Sequence, residues 1–161
     1  MIFRKTPFFS IMIVCLIFCC HIAEAQDRFI DNGDGTVTDN KLKLMWSKAD
    51  NQNDISWKDA NAWAKYDFAN TISTNYDNWR LPTLEELKTL YVTDSKYNGY
   101  KSECGFMVKV VREIKLSCIL LWASESPTGP TVAFNFNIGN AFTIPSYDIA
   151  GCRGLPVRTI K

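Results

Sequence analysis

The N-terminal segment divides the chain into a part that is removed and a part that folds. Arg4-Lys5 precedes an uncharged apolar run over residues 7–20, and Ala23-Glu-Ala25 supplies the small-x-small pattern of a cleavage site. The apolar run is shorter than the roughly 20 residues of a membrane-spanning helix. Residues 1–25 are therefore predicted to be a cleaved signal peptide, with Gln26 as the first mature residue. The alternative is an uncleaved N-terminal anchor.

Removal of that segment leaves residues 26–161 as a single domain. Taking 25 from 161 residues leaves 136, which is enough for one hydrophobic core. The signal holds two of the 18 Lys and Arg residues and one of the 17 Asp and Glu residues, so the domain has sixteen of each. A neutral composition predicts no strongly basic face for nucleic acid or an anionic membrane. No later segment is apolar enough for a membrane span.

The domain also lacks histidine, because His21 lies within the signal. This excludes Ser-His-Asp and Cys-His nucleophiles and every histidine-ligated metal site. Carboxylate, lysine and tyrosine chemistry remain open. The composition therefore predicts a protein that is not an enzyme, with no cofactor and no metal site.

Three cysteines follow the signal, and export places them in oxidising surroundings. Cys104 and Cys118 have 13 residues between them, and a disulfide closing such a loop contributes about 3 kcal/mol. We predict this disulfide, with Cys152 left as a free thiol. The alternative is three reduced cysteines.

Turn signals predict antiparallel strands at the start of the domain. Asp31-Asn-Gly-Asp-Gly35 contains the Asn-Gly and Asp-Gly pairs of hairpin turns, between strands over residues 28–30 and 36–38. A third strand is predicted over residues 42–46. The acidic turn also suggests a calcium loop, but both glycines occupy ligand positions and no glutamate closes the loop at the twelfth position. A tight turn is the favoured interpretation.

The C-terminal part reads as further strands. Apolar residues alternate over residues 132–138, which predicts a half-buried strand, and Gly139-Asn140 predicts a hairpin turn into residues 141–144. A last strand over residues 155–159 contains a proline, which suits a sheet edge. Residues 106–115 are compatible with either strand or helix.

Two helices are predicted between these strands. Ser56 with Asp59 forms a weak capping box for the first helix. Thr83 and Glu86 form a full Thr-x-x-Glu capping box after a proline, and this helix is predicted to run to about Tyr91. Strands followed by segregated helices and more strands predict an α+β fold.

Several separated motifs follow one another along the chain in a fixed order. They are Asp31-Asn-Gly-Asp-Gly-Thr-Val-Thr-Asp39, Leu44-Met-Trp46, Trp79-Arg-Leu-Pro-Thr83 with Glu86-Leu87, Trp122-Ala-Ser124 and Leu155-Pro-Val-Arg158. This order of motifs resembles one bacterial family, the Lcl C-terminal domain. The resemblance covers nearly all of the mature chain and implies an exported domain of the periplasm or cell surface. It also implies a C-type-lectin-like / sulfatase-modifying-factor-like domain, with two helices, a small twisted antiparallel sheet and long loops. The chain departs from the family at Leu42-Lys43, where Thr-Gly is usual.

The resemblance implies a non-catalytic binding or adhesion module for a polysaccharide or protein ligand. In this fold group the C-terminal loops and strands present the binding face, where aromatic rings stack and amides give directional hydrogen bonds. Each candidate could instead be a core ring or the solvent face of a strand. The alternatives are a cysteine- or copper-dependent oxidase-like enzyme of the same fold group and a purely structural or assembly protein. The candidate ligand-binding residues are Trp122, Glu125, Asn135, Asn137, Asn140, Tyr147 and Asp148.

Overall fold

The computed structural model describes residues 27–124 and 130–160. The predicted signal and its cleavage site at Ala25 and Gln26 lie outside these ranges, as does Glu125. In the two described ranges, no helix has both the length and the apolar character needed to cross a membrane.

The described residues form ten short strands and two short α-helices, which confirms the α+β prediction. Helix α1 (Trp57–Ala62) continues into a π-helical turn (Trp63–Asp67) and a 3-10 turn (Phe68–Thr71). The helices are α1 (Trp57–Ala62) and α2 (Leu84–Lys88). The strands are β1 (Phe29–Asp31), β2 (Thr36–Asp39), β3 (Leu44–Ser47), β4 (Tyr100–Lys101), β5 (Met107–Val108), β6 (Leu120–Trp122), β7 (Val132–Asn135), β8 (Asn140–Thr143), β9 (Cys152–Arg153) and β10 (Val157–Thr159).

The first sheet is antiparallel throughout, with strand order β1-β2-β3-β10. The turn between β1 and β2 is tight, as predicted: the Asp31 carboxylate accepts the Gly33 N–H at 3.0 Å, and Asp34 accepts the Thr36 N–H at 3.0 Å. The final strand β10 lies at the sheet edge next to Pro156, which confirms the prediction from the proline.

The turn between β2 and β3 keeps a geometry that normally needs glycine. Lys43 has a φ of 55°, in the left-handed region where a Cβ atom is strained. Its carbonyl still accepts the N–H of Ile160 at 2.9 Å. The lysine therefore preserves the turn that Thr-Gly would form, at a local energetic cost.

We expect Lys43→Gly to stabilise the protein. The left-handed conformation costs a non-glycine residue roughly 1–2 kcal/mol, whereas glycine costs about 0.5–1 kcal/mol of extra chain entropy. The net gain should be about 0.5–1 kcal/mol, measured by urea unfolding. Lys41→Gly in the same turn is the matched control, and it should destabilise slightly because Lys41 has no positive φ. A loss of stability in Lys43→Gly would contradict the argument.

The second sheet has strand order β8-β7-β6-β9. The hairpin of β7 and β8 forms as predicted, with Asn135 opposite Asn140 and Val132 opposite Thr143. Strand β9 departs from the prediction of an antiparallel sheet, because it pairs with β6 in parallel. The chain leaves β8, crosses to the far edge of the sheet and enters it in the same direction as β6. A small third sheet pairs β4 with β5.

Both helices begin at the predicted caps. Ser56 accepts the Asp59 N–H at 3.2 Å, and Thr83 accepts the Glu86 N–H at 3.1 Å. Glu86 in turn accepts the Thr83 N–H at 2.7 Å and two bonds from Arg80, also at 2.7 Å each. Burial raises the pKa of Glu86, but these bonds outweigh it and hold that pKa below its ordinary value. Glu86 is therefore a structural carboxylate.

Helix α2 ends at Lys88, earlier than the predicted Tyr91. The last turn tightens, with the Thr89 N–H bonding to Glu86 O and the Leu90 N–H to Leu87 O, each at 3.0 Å. Tyr91 then forms a β-bridge with Val110, within the segment that the sequence left undecided between strand and helix. That segment is neither one strand nor a helix: it contains β5 near its start and a turn closed by the Ile114 N–H on Val111 O at 3.2 Å.

The central strands of the second sheet are covered on both faces. The main core contains Trp46, Leu121 and Phe134, whereas Ala133 packs in a second cluster with Trp122, with Ala60 of α1 and with Ala64 of the π-helical turn. The expectation that residues 132–138 form a half-buried strand is therefore wrong for β7. Helix α1 and the following turn cover the face that the alternation predicted to be exposed.

Candidate functional site

Trp122 lies in the core and not on a surface. Its side chain is fully buried, and its indole N–H donates to the Ile55 carbonyl at 2.8 Å. Trp57 makes the reciprocal contact, with its indole N–H on the Ala123 carbonyl at 2.8 Å. Trp122 therefore cannot stack on a ligand at the surface, and its predicted role is corrected to that of an anchor between α1 and the second sheet.

The predicted asparagines lie at the tip of the β7–β8 hairpin. The Asn135 carboxamide oxygen accepts the Asn137 N–H at 2.8 Å, and the Asn137 amide donates to the Met107 carbonyl at 2.7 Å. These two side chains hold the tip in shape and fasten it to β5. Asn140 is exposed at the start of β8.

Tyr147 and Asp148 lie beyond the opposite end of β8, in a loop over residues 144–151. The loop is anchored by the Trp57 N–H on Ser146 O at 3.1 Å and the Gly151 N–H on the Asp54 carboxylate at 3.2 Å. Tyr147 nevertheless leaves 81% of its surface exposed. The predicted set is thus divided between the two ends of the hairpin, and only Tyr147 and Asp148 lie together on a held, open loop.

Two apolar residues that the sequence did not single out extend this surface. Phe142 on β8 is 43% exposed, and Ile149 in the loop is 47% exposed. From the sequence alone, an apolar residue in a strand is expected to be buried. Phe142 is exposed because β8 lies at the edge of its sheet, and sheet order is not visible in the sequence. We call Phe142, Tyr147, Asp148 and Ile149 the recognition surface.

A chain of buried polar groups supports the recognition surface from below. Arg153, only 7% exposed, donates to the Ser117 hydroxyl at 2.8 Å and also pairs with Asp54, which holds the loop. Ser117 donates to Asp50 through its hydroxyl at 2.8 Å and its N–H at 2.7 Å. Burial raises the pKa of Asp50, against hydrogen bonds and the Arg153 charge. These groups satisfy one another, which makes the chain a scaffold.

Two clefts flank the segment that carries Asp50. A cleft of about 310 Å³ lies between that segment and Tyr100, and a wider cleft of about 670 Å³ reaches Trp63 and Phe68. The Tyr100 hydroxyl is bonded to both backbone groups of Leu116, so it is not free for a ligand. These clefts could not be predicted from the sequence, because their walls come from distant parts of the chain.

The three cysteines in the described part of the chain do not form the free thiol pair that an oxidase-like enzyme would use. Cys104 and Cys118 form the predicted disulfide, and Cys152 is a buried free thiol as predicted. Burial, with smaller contributions from Asp148 and Asp54, raises the pKa of Cys152 to about 12. A thiol with so high a pKa carries almost no thiolate at neutral pH.

No curated protein and no solved structure matches the chain significantly. The profile of the Lcl C-terminal domain matches residues 35–158, which include both helices, the strands from β2 to β9 and the first two residues of β10. The chain belongs to the Lcl C-terminal domain family.

Proposed function

We propose that the protein is an exported, non-catalytic binding or adhesion module of the bacterial periplasm or cell surface. Its ligand is a polysaccharide or a protein, and it binds at the recognition surface. The proposal places the domain in the C-type-lectin-like / sulfatase-modifying-factor-like fold group, in which the C-terminal loops and strands present the ligand-binding face.

The observation that carries the proposal is the exposure of Tyr147 on an anchored loop. A tyrosine that leaves 81% of its surface in water contributes little to folding, whereas its ring and hydroxyl suit contact with a sugar face or a protein. The hydrogen bonds of Ser146 and Gly151 hold the loop on both sides of the ring. An anchored loop has already lost much of the conformational entropy that ordering on binding would cost.

The neighbours of Tyr147 agree with a recognition role. Phe142 and Ile149 add apolar area, and Asp148 adds a carboxylate that forms no ion pair among the described residues. Such a mixture of exposed aromatic, apolar and charged groups is typical of binding surfaces.

We expect Tyr147→Ala to weaken ligand binding while leaving the fold intact. The purified protein is applied to a glycan array and to an array of random twelve-residue peptides, and the strongest hit is titrated against both forms. Loss of an aromatic anchor should weaken binding at least tenfold, with unchanged circular dichroism and thermal unfolding.

Tyr66→Ala is the matched control, because Tyr66 is also largely exposed, at 64%, but lies on the π-helical turn beyond α1. Its affinity should stay within about twofold. If both arrays are blank, or if the two tyrosine variants lose equal affinity, the recognition surface is not the binding site.

A further inference from the structure

Strand β8 is an open sheet edge that adjoins the recognition surface. Among the described residues only β7 pairs with it, and all four of its residues are exposed. Phe142 belongs to both β8 and the recognition surface, so the edge and the loop form one continuous region.

The pairing with β7 shows which backbone groups point outward. The Ile144 N–H donates to Thr131 O at 3.0 Å, so these two residues form a hydrogen-bonded pair just beyond β8. Such pairs alternate along an antiparallel ladder. The register then directs the backbone groups of Phe142 and Asn140 toward β7, and those of Ala141 and Thr143 away from it.

The other edges of the two four-stranded sheets are protected in recognised ways. Strand β9 is buried, and β10 follows Pro156 and carries Arg158. Strand β1 carries Asp31, which is ion-paired with Lys48 at 2.5 Å. Charges, prolines and cover are the usual means of blocking an exposed edge. The β8 sequence Asn-Ala-Phe-Thr has no charge and no proline.

We propose that β8 binds an extended polypeptide strand, which pairs with the outward N–H and C=O groups of Ala141 and Thr143. This rests on the proposed function and names its ligand class, because a row of alternating backbone donors and acceptors is complementary to another backbone and not to a sugar. The carboxylate of Asp148, beyond the end of β8, accepts the Ala150 N–H at 3.2 Å but forms no ion pair with any described residue, which favours a peptide with a lysine or arginine at that end.

The test uses a substitution that removes one outward N–H and leaves the pairing with β7 intact. Proline is tolerated on an edge strand where its nitrogen faces solvent, so Ala141→Pro should fold with unchanged circular dichroism. Its affinity for the peptides selected from the random twelve-residue array should fall about tenfold, the loss expected for one or two backbone hydrogen bonds. Ala141→Ser keeps the N–H and should bind within about twofold.

A second arm does not depend on how the variants fold. Each selected peptide is N-methylated at every second residue, either at the odd or at the even positions. Only one of these two patterns should abolish binding to the unaltered protein. Peptides that bind Ala141→Pro normally, or that tolerate both methylation patterns, would overturn the proposal. So would a β8–β8 dimer in sedimentation, because a second copy would then occupy the edge. If glycans bind with dependence on Tyr147 and no peptide binds, the proposed function stands and the strand proposal fails.

Discussion

Arg153→Ala should lower the free energy of unfolding by about 3 kcal/mol, the lower end of the range for breaking a buried ion pair. The lower end applies because Asp54, one of its partners, is 45% exposed. Arg153 itself is buried, and it donates to Ser117 and to the Cys152 carbonyl as well as to Asp54. Its removal also takes away a positive charge that favours the ionised Asp50 carboxylate, which is only 5% exposed.

The pH dependence of the Arg153→Ala loss identifies its cause. Burial places the pKa of Asp50 above its ordinary 3.8, and Arg153 opposes that shift, so the variant should raise the pKa further. An acid whose pKa is higher in the folded state contributes stability below its unfolded pKa, and this contribution is lost as the pH rises through the folded pKa. The deficit of the variant should therefore grow as the pH rises from 3.8 toward neutrality.

Urea unfolding at several pH values measures this deficit. Lys48→Ala is the comparison, since Lys48 and Asp31 form an exposed ion pair with about 40% of each side chain in water, and it should cost at most about 1 kcal/mol. The double variant Asp50→Asn/Arg153→Ala should lose the added pH slope. Equal costs for the two single variants, or a deficit independent of pH, would contradict the buried-network argument.

The parts of the fold that the sequence predicted are those fixed by neighbouring residues. The α2 cap depends on Thr83 and Glu86, which are three positions apart. The first turn depends on the hydrogen bond that the Gly33 N–H donates to the Asp31 carboxylate. The β7–β8 hairpin likewise follows from one glycine-containing turn. In each case the donor and the acceptor lie within a few residues, so their chemistry can be read without knowing the rest of the fold.

The parts that escaped prediction depend on contacts between distant residues. Ser117 and Asp50 are 67 positions apart, and Arg153 and Asp54 are 99 apart. No local pattern distinguishes these residues from surface polar groups. The parallel entry of β9 and the burial of β7 on both faces have the same origin, because the chain crosses the sheet and α1 covers it.

The candidate site was predicted in part for the same reason. Tyr147 and Asp148 are predicted because the family resemblance implies a binding face on the C-terminal loops, and both are exposed in the structure. Trp122 follows a buried apolar run. Its role in the core could not be predicted, because its hydrogen-bond partner Ile55 lies far away in the sequence. Phe142 was missed because exposure on an edge strand depends on sheet order, which strand alternation does not reveal.

The scaffold and the recognition surface meet at Asp54. Its carboxylate holds the loop through Gly151 and pairs with Arg153, which leads through Ser117 to Asp50. A ligand at Tyr147 therefore contacts a loop whose position is set by the buried network. Loss of that network should reduce binding as well as stability, whereas loss of Tyr147 should reduce binding alone.

Replacing Cys104 and Cys118 by serine should cost about 3 kcal/mol of stability, the chain-entropy value for a loop of about 15 residues. The bridge spans 14 positions, and the segment it closes contributes Val108, Val110 and Ile114 to the main core. It also fixes Ser117, whose carbonyl accepts the Cys104 N–H at 3.1 Å. Its loss should therefore loosen the buried network as well.

Urea unfolding of the double serine variant measures the cost, with Cys152→Ala as the control for loss of a sulfur atom alone. The control should cost about 1 kcal/mol, because it removes one small buried group. Thiol titration of the oxidised protein should find no reactive thiol while folded, since Cys152 is buried with a pKa of about 12, and one thiol per chain after unfolding. Three thiols would show that the disulfide does not form, and a double variant as stable as the unaltered protein would show that it contributes nothing.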